Sequence, residues 1–278
     1  MVSATSFPEI ASLGLYLVGG GALTGLLAGI FGIGGGTVIV PVLYALFGFM
    51  GVPEEVRMHL CIGTSLAAII PTCFRSYRAH QARGAVDGSL IRRWAAPVMA
   101  GAVAGTVIAA FISSNQLRGV FATICAVNGL RFVFGKDEWR ISDDLPGPMG
   151  MTTYGLLIGI VSALMGISGG QLIIMIMTLH NRPIHQAVAT SAGLGILTAI
   201  PGTIGFAISG LPYQDLMPEL SIGYVSLLGA ALLAVLSIWT APAGVRLAHA
   251  FSKRRLEMVF GIYLLLIAGR FALSVAPI

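Results

Sequence analysis

Five stretches of this 278-residue chain, 11–50, 94–117, 149–179, 187–214 and 220–245, contain no Asp, Glu, Lys or Arg. About 20 apolar residues cross the hydrocarbon core of a bilayer, so each stretch can hold at least one spanning helix. The first is roughly twice that length, and it is expected to cross twice with a break near its glycines. Only 10% of residues are charged against 56% apolar, with a mean hydropathy of +0.90. That balance leaves too little polar surface to coat a soluble globule. The fold class is therefore an all-α polytopic membrane protein, with lipid as its principal partner.

The net charge of +5 lies in short connections beside apolar runs rather than on one soluble face. Loop charge bias explains it better than nucleic acid does. The first basic residue is Arg57, so no positively charged start of a cleavable signal is evident and the first helix is expected in the mature protein. Cys61, Cys73 and Cys125 lie in apolar segments at spacings of 12 and 52. These match neither a metal site nor a redox pair, and the three read as packing residues. No Walker A, HExxH, CxxC or GxSxG pattern occurs, so neither enzyme chemistry nor a cofactor is expected.

A repeat organises the chain. Gly32-Ile33-Gly34-Gly35-Gly36-Thr37 returns 134 residues later as Gly166-Ile167-Ser168-Gly169-Gly170-Gln171. His59 to Ser65 is answered by His185 to Ser191, and Leu130-Arg131-Phe132 by Gly269-Arg270-Phe271. The two units are 1–140 and 141–278, with five helical segments each: 11–31, 35–50, 58–74, 94–112 and 116–134, then 150–166, 169–180, 187–208, 222–240 and 256–275. Equivalent loops carry opposite charge. Arg75, Arg78, Arg83, Arg92 and Arg93 flank 75–93, whereas 209–221 holds only Asp215 and Glu219. One helix later the bias reverses, with one Arg in 113–118 and Arg246, Lys253, Arg254 and Arg255 in 241–255. The positive-inside rule then gives two units of inverted topology with both termini outside. The segments 35–50 and 169–180 barely cross at about 1.5 Å per residue. If they re-enter instead, each unit has four spans and the charge reversal loses its explanation.

Glycine runs inside an apolar segment cost about 1 kcal/mol per residue in a helix, and lipid tolerates a broken helix only where protein or a wet cavity meets the freed backbone. Gly34, Gly35 and Gly36, with Ser168, Gly169 and Gly170, thus read as paired breaks. A helix starting just after a break aims unpaired N–H groups at it and can hold an anion. Thr37 and Gln171 fall in the first turn and can donate too. The alternative is close packing alone, as for Gly25/Gly29, Gly101/Gly105 and Gly155/Gly159. Thr64-Ser65 and Thr190-Ser191 either bind substrate oxygens or bond back to their own helix. Pro71 and Pro201 are expected to kink or break those helices.

No Asp or Glu falls inside a predicted span apart from Glu257 at a helix start, so a membrane carboxylate relay has no candidate. His59 and His185 stand at matching helix starts, as interfacial residues or as coupling groups. Arg131 and Arg270 either bind an anion or snorkel to the interface. Arg75 and Arg78 guide anions or fix topology.

The doubled motif, Gly32–Pro41 and Gly166–Met175, each followed by a Thr-Ser helix, resembles the TauE/SafE or sulfite exporter family across essentially the whole chain. The resemblance implies a multi-pass permease of the bacterial inner membrane that moves sulfite, sulfonates or related small organic anions. A sulfonate offers three acceptor oxygens to helix N-termini and hydroxyls. Ser168 stands where the family has a glycine, Gln171 where it has an apolar or small residue, and Met175 where the first unit has Pro41. The leading expectation is an anion transporter working by alternating access between the units, compatible with a homodimer. A channel-like facilitator of organic anions or carboxylates is the alternative, and a membrane scaffold or intramembrane enzyme a third class.

Overall fold

The computed structural model describes residues 19–26, 36–135, 142, 144–248 and 253–275. Residues 19–26 are helical and are labelled α1 here. The helices α2 (Gly36–Phe49), α3 (Glu54–Gln81), α4 (Gly88–Phe111), α5 (Ser114–Phe134), α6 (Pro148–Met165), α7 (Gly170–Leu179), α8 (Ile184–Ser209), α9 (Leu227–Ala248) and α10 (Lys253–Val275) follow. A 3-10 turn, Leu211–Leu216, and a small antiparallel hairpin, β1 (Ser221–Ile222) with β2 (Val225–Ser226), join α8 to α9. Seven of the described helices, α3 to α6 and α8 to α10, are long and apolar enough to cross a membrane. The protein is an all-α polytopic membrane protein, and each of the ten expected segments contains a helix.

Local chemistry sets the tight connections. Ser113 and Gln116 form a capping box at the start of α5, which lets α4 turn into α5 across two residues. Asp87 caps α4 by accepting from Ser89 N and Leu90 N. At the other end of α5, the Arg254 guanidinium donates to the carbonyls of Phe132, Val133 and Gly135. It thereby meets carbonyls that the helix itself leaves free.

The core is built on α3, whose most apolar window is 72% buried against 28% for α10. It crosses α8 antiparallel: Gly63 lies against Phe206, Leu66 against Gly202, Cys73 against Gly195 and Tyr77 against Gly193. Helices α4 and α6 run parallel, with Trp94 Nε1 donating to Met151 O and Gly105 beside Ala163. A Cβ on Gly101 or Gly159 would collide with the Leu156 or Val98 carbonyl, so the four-residue glycine spacing on both helices permits this approach. In the same manner α1 runs alongside α9, Gly21 against Leu236 and Gly25 against Ser237. Helices α5 and α10 pair antiparallel through Phe121–Phe271 and Gly129–Gly261. The outward faces carry large apolar side chains such as Phe111, Trp239 and Leu273, 85%, 79% and 76% exposed, as a surface solvated by acyl chains allows.

These directions sort the charges. The end of the bundle where α3, α5 and α9 finish and α4, α8 and α10 begin carries Arg75, Arg78, Arg83, Arg92, Arg93, Arg131, Arg182, Arg246, Arg254 and Arg255. The opposite end holds Arg57, Arg118 and Arg270 with Glu54, Glu55, Asp215 and Glu219.

Two expectations change. Of the kink or break expected at Pro71 and Pro201, the break does not occur, because α3 and α8 run on through both prolines; proline removes one backbone donor, and a surrounding bundle tolerates that loss. Helix α7 has 10 residues, about 15 Å of rise, half the hydrocarbon thickness. It turns back along α6. Gly169 lies beside Ser162 and Ile158, and the His180 ring stands 5.9 Å from that of Tyr154. The pair α6–α7 therefore returns the chain to the end where α6 began. That is the same change of side as two full crossings, so a short α7 does not remove the explanation of the loop charges.

Adding one methyl at Gly159 forces α4 and α6 apart. Gly159→Ala is expected to destabilise by about 1–3 kcal/mol, measured as a lower melting temperature in detergent, with Gly119→Ala, where nothing lies within 4 Å, as the neutral control.

Candidate functional site

Two left-handed glycines end α6 and begin α7: Gly166 at φ 68°, ψ 34° and Gly169 at φ 71°. A side chain is strained at such φ, which is why glycine stands there. Ile167 N donates to Ser162 O and closes the end of α6. The break sits in the interior. Gly166 packs on Ile62 and Val40, and Ser168 on Gly195, midway along α8. Helix α7 has no side-chain cap from Gly169, and Ser168 Oγ lies at 3.4 Å from Gly170 N, a long contact. The positive end of α7 thus opens onto the break.

The freed carbonyls are met from two other helices. Ser65 Oγ of α3 donates to Gly166 O at 2.7 Å, and Thr198 Oγ1 of α8 donates to Ser168 O at 3.0 Å. Gly36, at the described start of α2, reaches the same place: a Cβ there would stand 2.6 Å from Gly166 O and 2.8 Å from Ile167 Cα. Ser191 Oγ would lie 3.7 Å from a Cβ on Gly170. The structure therefore gathers Gly36, Ser65, Ser168, Gly169, Gly170 and Ser191 at one buried point. Gly34 and Gly35 lie outside the described residues.

Beside this point two first-turn side chains are left with polar atoms unmet. Among the described residues Thr37, 2% exposed, has no partner for Oγ1, and Gln171 has none for either Nε2 or Oε1, all three atoms being buried. A buried polar atom without a partner costs about 1–3 kcal/mol. Thr37 and Gln171 occupy corresponding positions of the two glycine motifs.

The remaining candidates fall elsewhere. Thr64 Oγ1 accepts from Ser226 N at 2.9 Å and Thr190 Oγ1 from Asp87 N at 3.0 Å. Each threonine thus anchors the residue just before the next helix, α9 or α4, and both make the same bond from corresponding positions. Ser191, at the break itself, donates its Oγ back to Val188 O. His59, at the start of α3, is buried within the protein: it is 5% exposed, its Nε2 lies 3.0 Å from Ala109 O, and it stacks on Tyr224. His185 is exposed at the start of α8, at the other end of the bundle. Arg75, Arg131 and Arg270 are exposed, the last two at opposite ends, so neither His59/His185 nor Arg131/Arg270 meets.

Sequence reasoning passed over Thr198 and Gly195. Ser191, Gly195 and Thr198 at i, i+4 and i+7 form a stripe of small residues on one helix face, and that spacing was the available signal. It also passed over Arg118, 6% exposed, which donates to Tyr44 Oη and Asn115 Oδ1.

Thr64→Val should destabilise by about 1–3 kcal/mol by orphaning Ser226 N–H, and Thr190→Val by the lower part of that range because Asp87 N is only part-buried. Thr→Ser at either position should retain most of the stability in the same unfolding measurement. Burial pushes the Asp87 carboxyl up, but hydrogen bonds from Ser89 and Leu90 and the nearby Arg182 charge outweigh it and hold the carboxyl below its ordinary 3.8. Its contribution is present above that value and is lost as the pH falls through the lowered native one. Asp87→Asn should therefore flatten the drop in melting temperature below about pH 4.

The sequence profile described as "Sulfite exporter TauE/SafE" matches residues 17–271. A "Probable membrane transporter protein" of Haemophilus influenzae is 31% identical over 89% of this chain and 94% of its own length. Another of that description from Methanocaldococcus jannaschii is 28% identical over 96% of this chain and 100% of its own. No solved structure matches the chain. With seven helices among the described residues able to cross a membrane and a match over nearly its whole length, the chain belongs to the TauE/SafE sulfite exporter family of multi-pass membrane transporters, and is not an enzyme.

Proposed function

We propose that this transporter carries small sulfur-containing anions, sulfite or organosulfonates, across a bacterial inner membrane by alternating access, with the substrate held between two inverted repeats. The observation that carries the reading is the matched pair of unmet polar side chains, Thr37 and Gln171, in the first turns of the two short helices. A buried hydroxyl and amide beside an uncapped helix N-terminus are what a small oxoanion satisfies.

Matched contacts support the inversion. Gly21 on Leu236 and Gly25 on Ser237 pair the first unit's α1 with the second unit's α9; Gly155 on Pro97 and Gly159 on Val98 pair α6 with α4 through the corresponding residues. The bonds of Thr64 and Thr190 correspond likewise. A two-fold axis in the membrane plane relates such pairs, and inverted-repeat transporters bind substrate where that axis meets discontinuous helices. The arginine-rich end is then cytoplasmic.

Reconstituted protein should take up a sulfonate with saturation, and Thr37→Val and Ser65→Ala should each weaken binding about tenfold. Unchanged affinity in both would sink the site. Uptake that rises linearly with concentration and ignores pH and sodium gradients would favour a channel. Gln81→Cys should be labelled by an impermeant maleimide only from inside and Glu219→Cys only from outside, against a low background because Cys61, Cys73 and Cys125 are buried.

A further inference from the structure

The two ends of the Gln171 amide ask for opposite things. Its Nε2 carries donors and its Oε1 is an acceptor, and both are buried with no partner among the described residues, on a side chain that stands in the first turn of α7, directly after the break. An oxoanion with only acceptor oxygens satisfies Nε2, Thr37 Oγ1 and the N–H groups of α7's first turn. It leaves Oε1 orphaned. The other hydroxyls at the break are engaged elsewhere: Ser65, Ser191 and Thr198 donate to backbone carbonyls, and the Ser168 hydroxyl bonds with the Cys73 thiol.

We infer that Gln171 is a specificity-determining residue that selects oxoanions bearing a hydrogen-bond donor, a hydroxyl or ammonium on the carbon chain or a proton on the acid group, over donor-free anions of the same size. This rests on the anion-binding reading of the break. The side chains that meet the break, Ser65, Ser168, Ser191 and Thr198, are neutral, so discrimination there comes from hydrogen-bond matching rather than from charge. A site that must hydrogen-bond a group on its ligand rejects the analogue lacking it, because the protein's own polar atom is then left unmet. The first unit places Thr37 where the second has Gln171. A hydroxyl donates to an oxyanion and needs no donor in return, so the demand for a donor belongs to the second unit alone.

The test uses two near-isosteres, 2-hydroxyethanesulfonate and propane-1-sulfonate, which differ by a hydroxyl in place of a methyl. Binding to the full chain in detergent is read by calorimetry for the wild type and for Gln171→Met, which keeps the side-chain length and removes both polar atoms. The wild type should bind the hydroxysulfonate about tenfold more tightly, and Gln171→Met should bring the ratio to about one while still binding propane-1-sulfonate. Equal affinities in the wild type, as when a water meets Oε1, would overturn the inference and leave anion binding standing. So would a tenfold ratio that survives in Gln171→Met. If neither sulfonate binds the wild type, the anion-site reading itself fails, and this inference with it.

Discussion

Everything in this bundle is arranged around backbone groups that leave a helix in the middle of a membrane protein. At Gly166–Gly169 the chain abandons α6 and starts α7 in the buried interior of the bundle, and an unmet peptide group in such a place costs several kcal/mol. Ser65 of α3 and Thr198 of α8 take up the Gly166 and Ser168 carbonyls, which ties the break to the two most central helices. At the start of α7, Gly169 supplies no side-chain cap and the Gly170 N–H makes only a long contact, 3.4 Å, with Ser168 Oγ. Satisfied carbonyls beside a weakly capped helix N-terminus favour a ligand with acceptor oxygens, as the proposed anion site requires.

Packing serves the same end. Glycines on α4 and α6 let these helices run side by side at backbone contact, and the same device holds α1 to α9. Rigid pairs made this way carry α3 and α8 between them. The N-termini of α4 and α9 are fastened to α8 and α3 by Thr190 and Thr64. Hydroxyls that a sequence presents as pore-lining candidates are thus spent on joining one helix to the next.

Much of the fold was legible because lipid imposes a simple rule on sequence: an uncharged run of about 20 residues has few options other than a spanning helix. The helical segments, the glycine break at 166–169 and the positions of Thr37 and Gln171 followed from runs and repeats. The continuity of α3 and α8 through Pro71 and Pro201 did not, since whether a proline breaks a helix depends on neighbours that meet the freed carbonyl. Nor did the burial of His59 against Tyr224, since its partner comes from the β-hairpin region, distant in sequence.

The sequence by itself determined that this is a helical membrane protein, that one motif occurs twice, and that charge gathers on particular loops. Those are properties of composition and order along the chain, which solvent alone can read. Only the tertiary structure decided which polar groups are met. Thr64 and Thr190 find backbone donors, Ser65 and Thr198 find carbonyls, and the side chains of Thr37 and Gln171 find no partner among the described residues. A hydrogen bond needs its partner within about 3 Å, and which residues come that close is settled by helix packing across more than a hundred residues of chain.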